Sequence, residues 1–209
     1  MTRISSSYDL FDRQEGCVVE CTLFRDIASN NVLDFKEKWL PIFDAKKKEL
    51  KTEGEITVEA LKEFSLQDAH WKWPEKAAYI ENQSGYIGFS VECSNVTQGL
   101  MILSSLGFAR EDSQKDEPLI QVELLSTAPW NRKKLVDSPK LKGVGELLLQ
   151  AAVTVSFEFH NEGRIGLHAL SGAEAWYRDY CGMTDLGLDA AKKMHYFEMT
   201  ASQAKAFIS

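Results

Sequence analysis

Apolar positions recur along this chain in two alternating periods, and the changes of period mark out its elements. After a polar stretch over residues 1–15, expected to be loosely held, Cys17, Val18, Val19, Cys21, Leu23 and Phe24 predict a short strand. Val32, Phe35, Trp39, Leu40 and Phe43 then return near helical spacing, with Asn30 or Asn31 as the cap and Pro41 expected to kink or break the helix. A second helix is predicted from Thr57, with Val58, Leu61 and Phe64 on one side. The aromatic-dense segment Asp68-Ala69-His70-Trp71-Lys72-Trp73-Pro74 ends on a proline, which is read as halting helical structure there.

The period then shortens to two. Ile87, Phe89, Val91 and Cys93 alternate with Tyr86, Gly88, Ser90 and Glu92, so a strand is predicted, turning at Ser94-Asn95 into a second strand around Gly99–Leu103; a third covers Leu119–Thr127. The best helix follows from Gly143. Its stripe is Val144, Leu147, Leu148, Ala151, Val155 and Phe159, its polar side Glu146, Gln150, Thr154 and Glu158, and Gly163 is expected to close it in the left-handed conformation. A strand at Ile165–Leu170, a short helix carrying Ala173, Trp176, Tyr177 and Tyr180, and a strand at Met194–Met199 complete the pattern. Neither a repeat nor a low-complexity segment interrupts it. This order of helices, a strand meander and a strand-helix-strand-helix unit predicts a mixed α/β sheet in one domain over residues 1–209.

Composition narrows the function classes. At 209 residues, 44% hydrophobic and 26% charged, the chain is an ordinary globular sequence, without an apolar run of the ~18 residues a membrane span needs. Its N-terminus also lacks a secretory apolar segment, so a cytoplasmic location and no membrane partner are expected. The four cysteines (Cys17, Cys21, Cys93, Cys181) show neither paired metal-site spacing nor a histidine array, so free thiols and no bound metal are expected. With 31 acidic against 24 basic residues the net charge is -7, which disfavours nucleic acid as a partner. Lys46, Lys47 and Lys48 read as a solvated helix face.

Chemistry concentrates where the third strand passes into the best helix, through Lys140-Leu141-Lys142-Gly143-Val144-Gly145-Glu146. Two glycines allow close backbone approach, the first-turn N–H groups of a helix lack internal partners, and the helix dipole favours an anion there. Lys140 and Lys142 add positive charge. Tight packing of helix on strand accounts for the same glycines, and the loop alone does not choose between the two.

The wider context does. Leu119–Thr127 ending in Ala128-Pro129, the Lys140–Gly145 loop, an apolar helix, a strand, and then Ala173-Glu174-Ala175-Trp176-Tyr177-Arg178-Asp179-Tyr180-Cys181-Gly182-Met183 resemble, in order, the GNAT superfamily of acyl-CoA-dependent N-acetyltransferases. The match is best in the later half of Gly85–Met199. Lys140 stands where the family has glutamine or arginine, Trp176-Tyr177 match its aromatic pair, and Gly182-Met183 match its closing Gly-Phe with one extra residue. The loop from Pro129 to Lys140 is longer than usual, and Ser171-Gly172 stand near the place of a common asparagine.

The resemblance implies a mostly antiparallel mixed sheet with helices on both faces. It also implies acetyl-CoA as cosubstrate and an amine acceptor attacking directly in a ternary complex. Leu125, Ser126 and Thr127 would line the pantetheine arm; Lys140, Lys142, Gly143, Val144, Gly145 and Glu146 would hold the phosphates; Ser171 and Trp176 would add cofactor contacts. Tyr177 takes the place of the family's acid, with core packing as its alternative, and Glu123 is the expected base, its pKa raised by burial. His70, Trp71 and Trp73 border the acceptor side, where aromatics could hold a cation or a ring. The acceptor is expected to be a small-molecule or protein amine, and the chain a monomer or homodimer. A catalytically silent acyl-CoA-binding or partner-binding module of the same fold is the alternative function.

Overall fold

The computed structural model describes residues 3–209. Nine strands form one sheet in the order β6-β1-β2-β3-β4-β5-β7-β9-β8, flanked by helices, which is the mixed α/β architecture the pattern implies. β5 and β7 run parallel, whereas β1–β2, β1–β6, β2–β3, β7–β9 and β8–β9 are antiparallel. The chain resolves into two compact units: one runs up to Met101 and includes Leu125–Gly145, and the other comprises Ile102–Leu124 and Glu146–Ser209.

The first unit opens on a hairpin of β1 (Ser5–Asp12) and β2 (Cys17–Phe24), in register from Ser5↔Phe24 to Asp12↔Cys17. Sequence reading places no element before Cys17, because of the eight β1 residues only Leu10 and Asp12 are buried and no apolar alternation shows. The turn supplies the missing signal: Gly16 adopts φ +67°, and the Asp12 carboxylate accepts from the Gln14 and Glu15 N–H groups. β2 continues into the sheet against β3 (Tyr86–Cys93), pairing Cys21–Phe24 with Ser90–Cys93. At the first of these pairs Cys21 and Cys93 are joined by a disulfide, which corrects the expectation of four free thiols; Cys17 and Cys181 are free.

α1 (Ser29–Asp34) passes through a π turn at Phe35–Trp39 into α2 (Leu40–Glu53). Pro41 therefore does not break the helix. It falls in the first turn of α2, where the wider π turn relieves the clash that its ring would make with the preceding α-turn. Phe35, Trp39 and Phe43 pack into the core as the periodicity implies. α3 (Val58–Glu63) starts after Thr57, as predicted, and the Thr57 hydroxyl caps it by accepting from Ala60 N–H. Pro74 likewise opens a helix instead of ending one: α4 (Trp73–Glu81) has it in its first turn, where a missing N–H costs nothing. β3 turns through Ser94 and Asn95, both at positive φ, into β4 (Val96–Phe108), and β5 (Pro118–Thr127) follows. Within β3, Glu92 is buried. Burial pushes its carboxyl up, but bonds from Arg3, Asn31 and Asn30 outweigh this and hold it below the ordinary range.

After Pro129 the chain crosses the short strand β6 (Leu141–Lys142) and enters α5 (Val144–Glu158). In the second unit, Leu147, Leu148, Ala151 and Val155 of α5 are buried, as expected, whereas Phe159 lies past the end of the helix and is exposed, which corrects its place in the stripe. The left-handed cap is His160 at φ +60°, not Gly163: His160 N–H donates to Phe157 O and Asn161 N–H to Ser156 O. Gly163, at φ +83°, serves close packing, since a Cβ there would lie 2.7 Å from that of Ala204. β7 (Ile165–Ala169), a π turn at Trp176–Tyr180, β8 (Thr184–Asp189), β9 (Met194–Met199) and α6 (Ala201–Ile208) complete the unit.

Glu198 on β9 is fully buried. It accepts from the Arg110 and Glu111 N–H groups at 2.5 and 3.0 Å and from the Gln114 amide at 3.2 Å. Glu198→Ala strands the buried Gln114 amide and two partly buried backbone N–H groups, and at ~1–3 kcal/mol per stranded buried group should cost roughly 2 kcal/mol. Chemical denaturation checks this; a loss under about 1 kcal/mol would mean that water replaces the carboxylate.

Candidate functional site

In the first unit the run into α5 is pinned, not loose. β6 pairs with β1 through Phe11↔Lys142 and Asp12↔Leu141, and Arg13 N–H donates to Lys140 O at 2.8 Å. Lys140 N–H donates to Trp130 O at 2.9 Å and Leu141 N–H to Asn131 Oδ1 at 2.9 Å, so neither of these two amides is open to a phosphate. Gly143 then turns the chain at φ +96°, a conformation that favours glycine, and an added Cβ would press to 3.2 Å from Leu10 Cδ2. α5 begins at the next residue. The Val144 side chain is buried, which leaves the backbone as what it can offer a ligand, and the Lys140 and Lys142 side chains are exposed. A glycine turn into a fifteen-residue helix, flanked by two exposed ammonium groups, fits an anion.

The end of β5 is engaged differently from expectation. Arg132 donates to the Thr127 carbonyl through Nε at 2.9 Å and Nη2 at 2.5 Å, which uses both lone pairs of that oxygen. The buried Ser126 hydroxyl is also committed, donating to Asp68 and accepting from Arg132. Leu125 is half-buried on the same strand. Arg132 and Asp68 form a bidentate pair at 2.6 and 2.7 Å. Sequence reading gave Arg132 no role, because a polar loop residue shows no link to a carboxylate 64 positions away.

Of the three acceptor-side residues, His70 is exposed and Trp71 half-buried, but Trp73 has no exposed surface. Trp73 cannot face an acceptor: as the first residue of α4 it points into the core, edge-on to Trp71 at 6.2 Å.

In the second unit β5 and β7 pair through Ile120↔Ile165, Gln121↔Gly166 and Val122↔Leu167, and both strands run on past the last pair. Glu123 is the next β5 residue and is exposed, so the burial expected of it is not present. Ser171 is half-buried in the turn after β7. The π turn places Trp176 half-buried and Tyr177 at 7% exposure, ring against ring at 4.9 Å, with Phe197 6.0 Å from Tyr177. Tyr180 on the same turn donates to the Glu146 carboxylate at 2.7 Å, a bond that pushes the phenol up. Burial, reinforced by the Glu146 charge, pushes the Cys181 thiol up to about 12. Cys181 is therefore a packing residue rather than a nucleophile. Among the described residues no group of three or more His, Cys, Asp or Glu is placed to hold a metal, and no helix is long and apolar enough to cross a membrane.

No protein-family model matches the sequence, and no curated protein gives a significant match. Solved structures do match in fold. The spermidine N-acetyltransferase of Vibrio cholerae, solved with CoA and spermine, is 14% identical over 90% of this chain and 98% of its own, with a TM-score of 0.52. The PaiA N-acetyltransferase of Thermoplasma acidophilum, solved with coenzyme A, is 9% identical over 86% of this chain and 98% of its own, at 0.51. A Desulfovibrio desulfuricans protein assigned to the GNAT acetyltransferase family is 11% identical over 87% of this chain and 99% of its own, at 0.50. The chain thus has the fold of GNAT acetyltransferases.

Proposed function

We propose that this chain is a GNAT-type N-acetyltransferase that uses acetyl-CoA as cosubstrate and a primary amine as acceptor. The observation that carries this reading is the Gly143 turn into α5, a place where backbone N–H groups would cradle a pyrophosphate, on the fold that CoA-dependent acetyltransferases use. The N–H groups from Gly143 to Glu146 would face the phosphates, with Lys140 and Lys142 adding charge. The backbone of Leu125 and the N–H of Thr127 would pair with the pantetheine amides; the Thr127 carbonyl, held by Arg132, would not.

Acetyl-CoA supplies an activated acetyl thioester. The amine nitrogen bonds to the acetyl carbon, the carbon–sulfur bond breaks, and one proton must leave the nitrogen while another reaches the thiolate. Tyr177 is assigned to the second transfer. Glu123, exposed on β5, would take the first proton directly or through water. His70 and Trp71 remain the acceptor-side candidates, and the acceptor is a small-molecule or protein amine. The exposure of Glu123 is also what a silent acyl-CoA-binding module would show, so the test begins with binding.

Calorimetric titration of the protein with acetyl-CoA is expected to show saturable binding. Gly143→Asp, which adds a carboxylate and a disfavoured φ at the cradle, should weaken it by at least about 100-fold. No binding to the wild-type protein would overturn the reading. Binding without acetylation of any amine in a broad panel would leave the silent module.

A further inference from the structure

Within the first unit, the most densely bonded side chain in the candidate site is one that no ligand could recruit. The Arg132 guanidinium donates from Nε to Thr127 O, from Nη1 to Ser65 O at 2.7 Å and Asp68 Oδ1 at 2.6 Å, and from Nη2 to Asp68 Oδ2, Ser126 Oγ and Thr127 O. Its five N–H donors are all engaged. Its side chain is only 10% exposed and that of Asp68 7%, and the guanidinium stacks 4.9 Å above the buried Phe43 ring. The neighbouring loop residues extend the hold. Trp130 and Asn131 both donate to Gln98 Oε1, at 2.8 and 3.1 Å, and Ala128 N–H donates to Gln98 O. The last residues of β5 are thereby fastened to the start of β4 on one side and to the Ser65–Asp68 segment on the other.

We propose that Arg132 is a positioning residue for the acetyl-CoA site, setting the C-terminal end of β5 on which the pantetheine arm lies. The inference rests on the acetyl-CoA reading above. With its carbonyl capped by the guanidinium, the Thr127 backbone would offer a ligand its N–H and not its carbonyl, at a place fixed by the planar fork. A lysine carries the charge but cannot span Asp68, Ser126 and Thr127 in one plane, so the strand end loses its reference point while the buried carboxylate keeps a cation. The Gly143 turn is held by β1 and by Asn131, through bonds that do not include Arg132, and should keep its shape.

The experiment compares two ligands on wild-type protein and Arg132→Lys: acetyl-CoA, which needs the β5 edge, and adenosine 3′,5′-bisphosphate, which carries only the phosphate end. Arg132→Lys is expected to raise the acetyl-CoA Kd about tenfold and to leave the bisphosphate Kd within about twofold. Asp68→Asn, which keeps the side-chain shape and removes the charge that holds the fork, should give the same split and serves if the lysine variant does not fold. Equal weakening of both ligands, or unchanged acetyl-CoA affinity, would overturn the proposal. Wild-type protein that binds neither ligand would instead remove the acetyl-CoA reading on which it rests.

Discussion

Tyr177→Phe is expected to bind acetyl-CoA as the wild type does and to turn over about 100-fold more slowly, the scale on which a positioned general acid contributes. The ring is held by Trp176 at 4.9 Å and Phe197 at 6.0 Å, and these contacts survive loss of the hydroxyl. Cofactor affinity should therefore stay put while the rate falls. Tyr180 provides the internal control, because it lies on the same π turn and stacks on Trp176 with its hydroxyl committed to Glu146. Tyr180→Phe should leave the rate within a few-fold. Steady-state kinetics with an accepted amine decides the matter: equal rates for Tyr177→Phe and wild type would remove the acid role and return Tyr177 to core packing. The contrast follows from burial, since a proton donor to a departing thiolate works best where water does not compete.

The fold was legible wherever the signal was local. The α5 stripe as far as Val155, the start of α3 at Thr57 and the Ser94-Asn95 turn each depend on residues within a few positions of one another, and each appears where the pattern puts it; Phe159 leaves the stripe because the helix ends at Glu158. The errors arise where a residue's role is set by a partner strand, by its place within a turn, or by burial, none of which local spacing reports. β1 carries almost no apolar pattern because its register is imposed by β2 and its far end by β6. Pro41 and Pro74 looked like helix breaks because proline's effect depends on its place in the turn, which a neighbouring π turn or helix start decides. The glycine turn of the site was readable as a motif. Trp73 was misplaced because aromatic density does not tell a core ring from a cleft ring, and the Arg132–Asp68 pair was invisible because spacing carries no information about loops that fold back. Glu123 was assigned from its place on the strand, and alternation there does not report exposure near the point where β5 and β7 stop pairing.

Reduction of the Cys21–Cys93 disulfide is expected to lower stability by about 2–4 kcal/mol, the upper part of that range following from the long loop it closes. The two residues are 72 positions apart in sequence and are direct partners in the β2–β3 register, with Cα atoms 4.4 Å apart. Their place in the sheet concentrates the effect. Cys21 is the outermost β2 residue paired with β3, and from there Cys17–Glu20 continue against Asp9–Asp12 of β1, the strand end to which β6 and the Gly143 turn are attached. Reductant should therefore lower the denaturation midpoint and speed hydrogen exchange most in Asp9–Glu20, and a Cys21→Ser/Cys93→Ser variant should match the reduced protein and ignore reductant. A thiol titration of the unfolded, unreduced protein should find two of the four cysteines, Cys17 and Cys181. Four reactive thiols in protein taken directly from its cell would mean that the bond does not form there, as a reducing compartment dictates and as the cytoplasmic expectation requires. Two would place the protein where disulfides persist, and would make the covalent tie at the root of the hairpin part of what holds the proposed cofactor turn in shape.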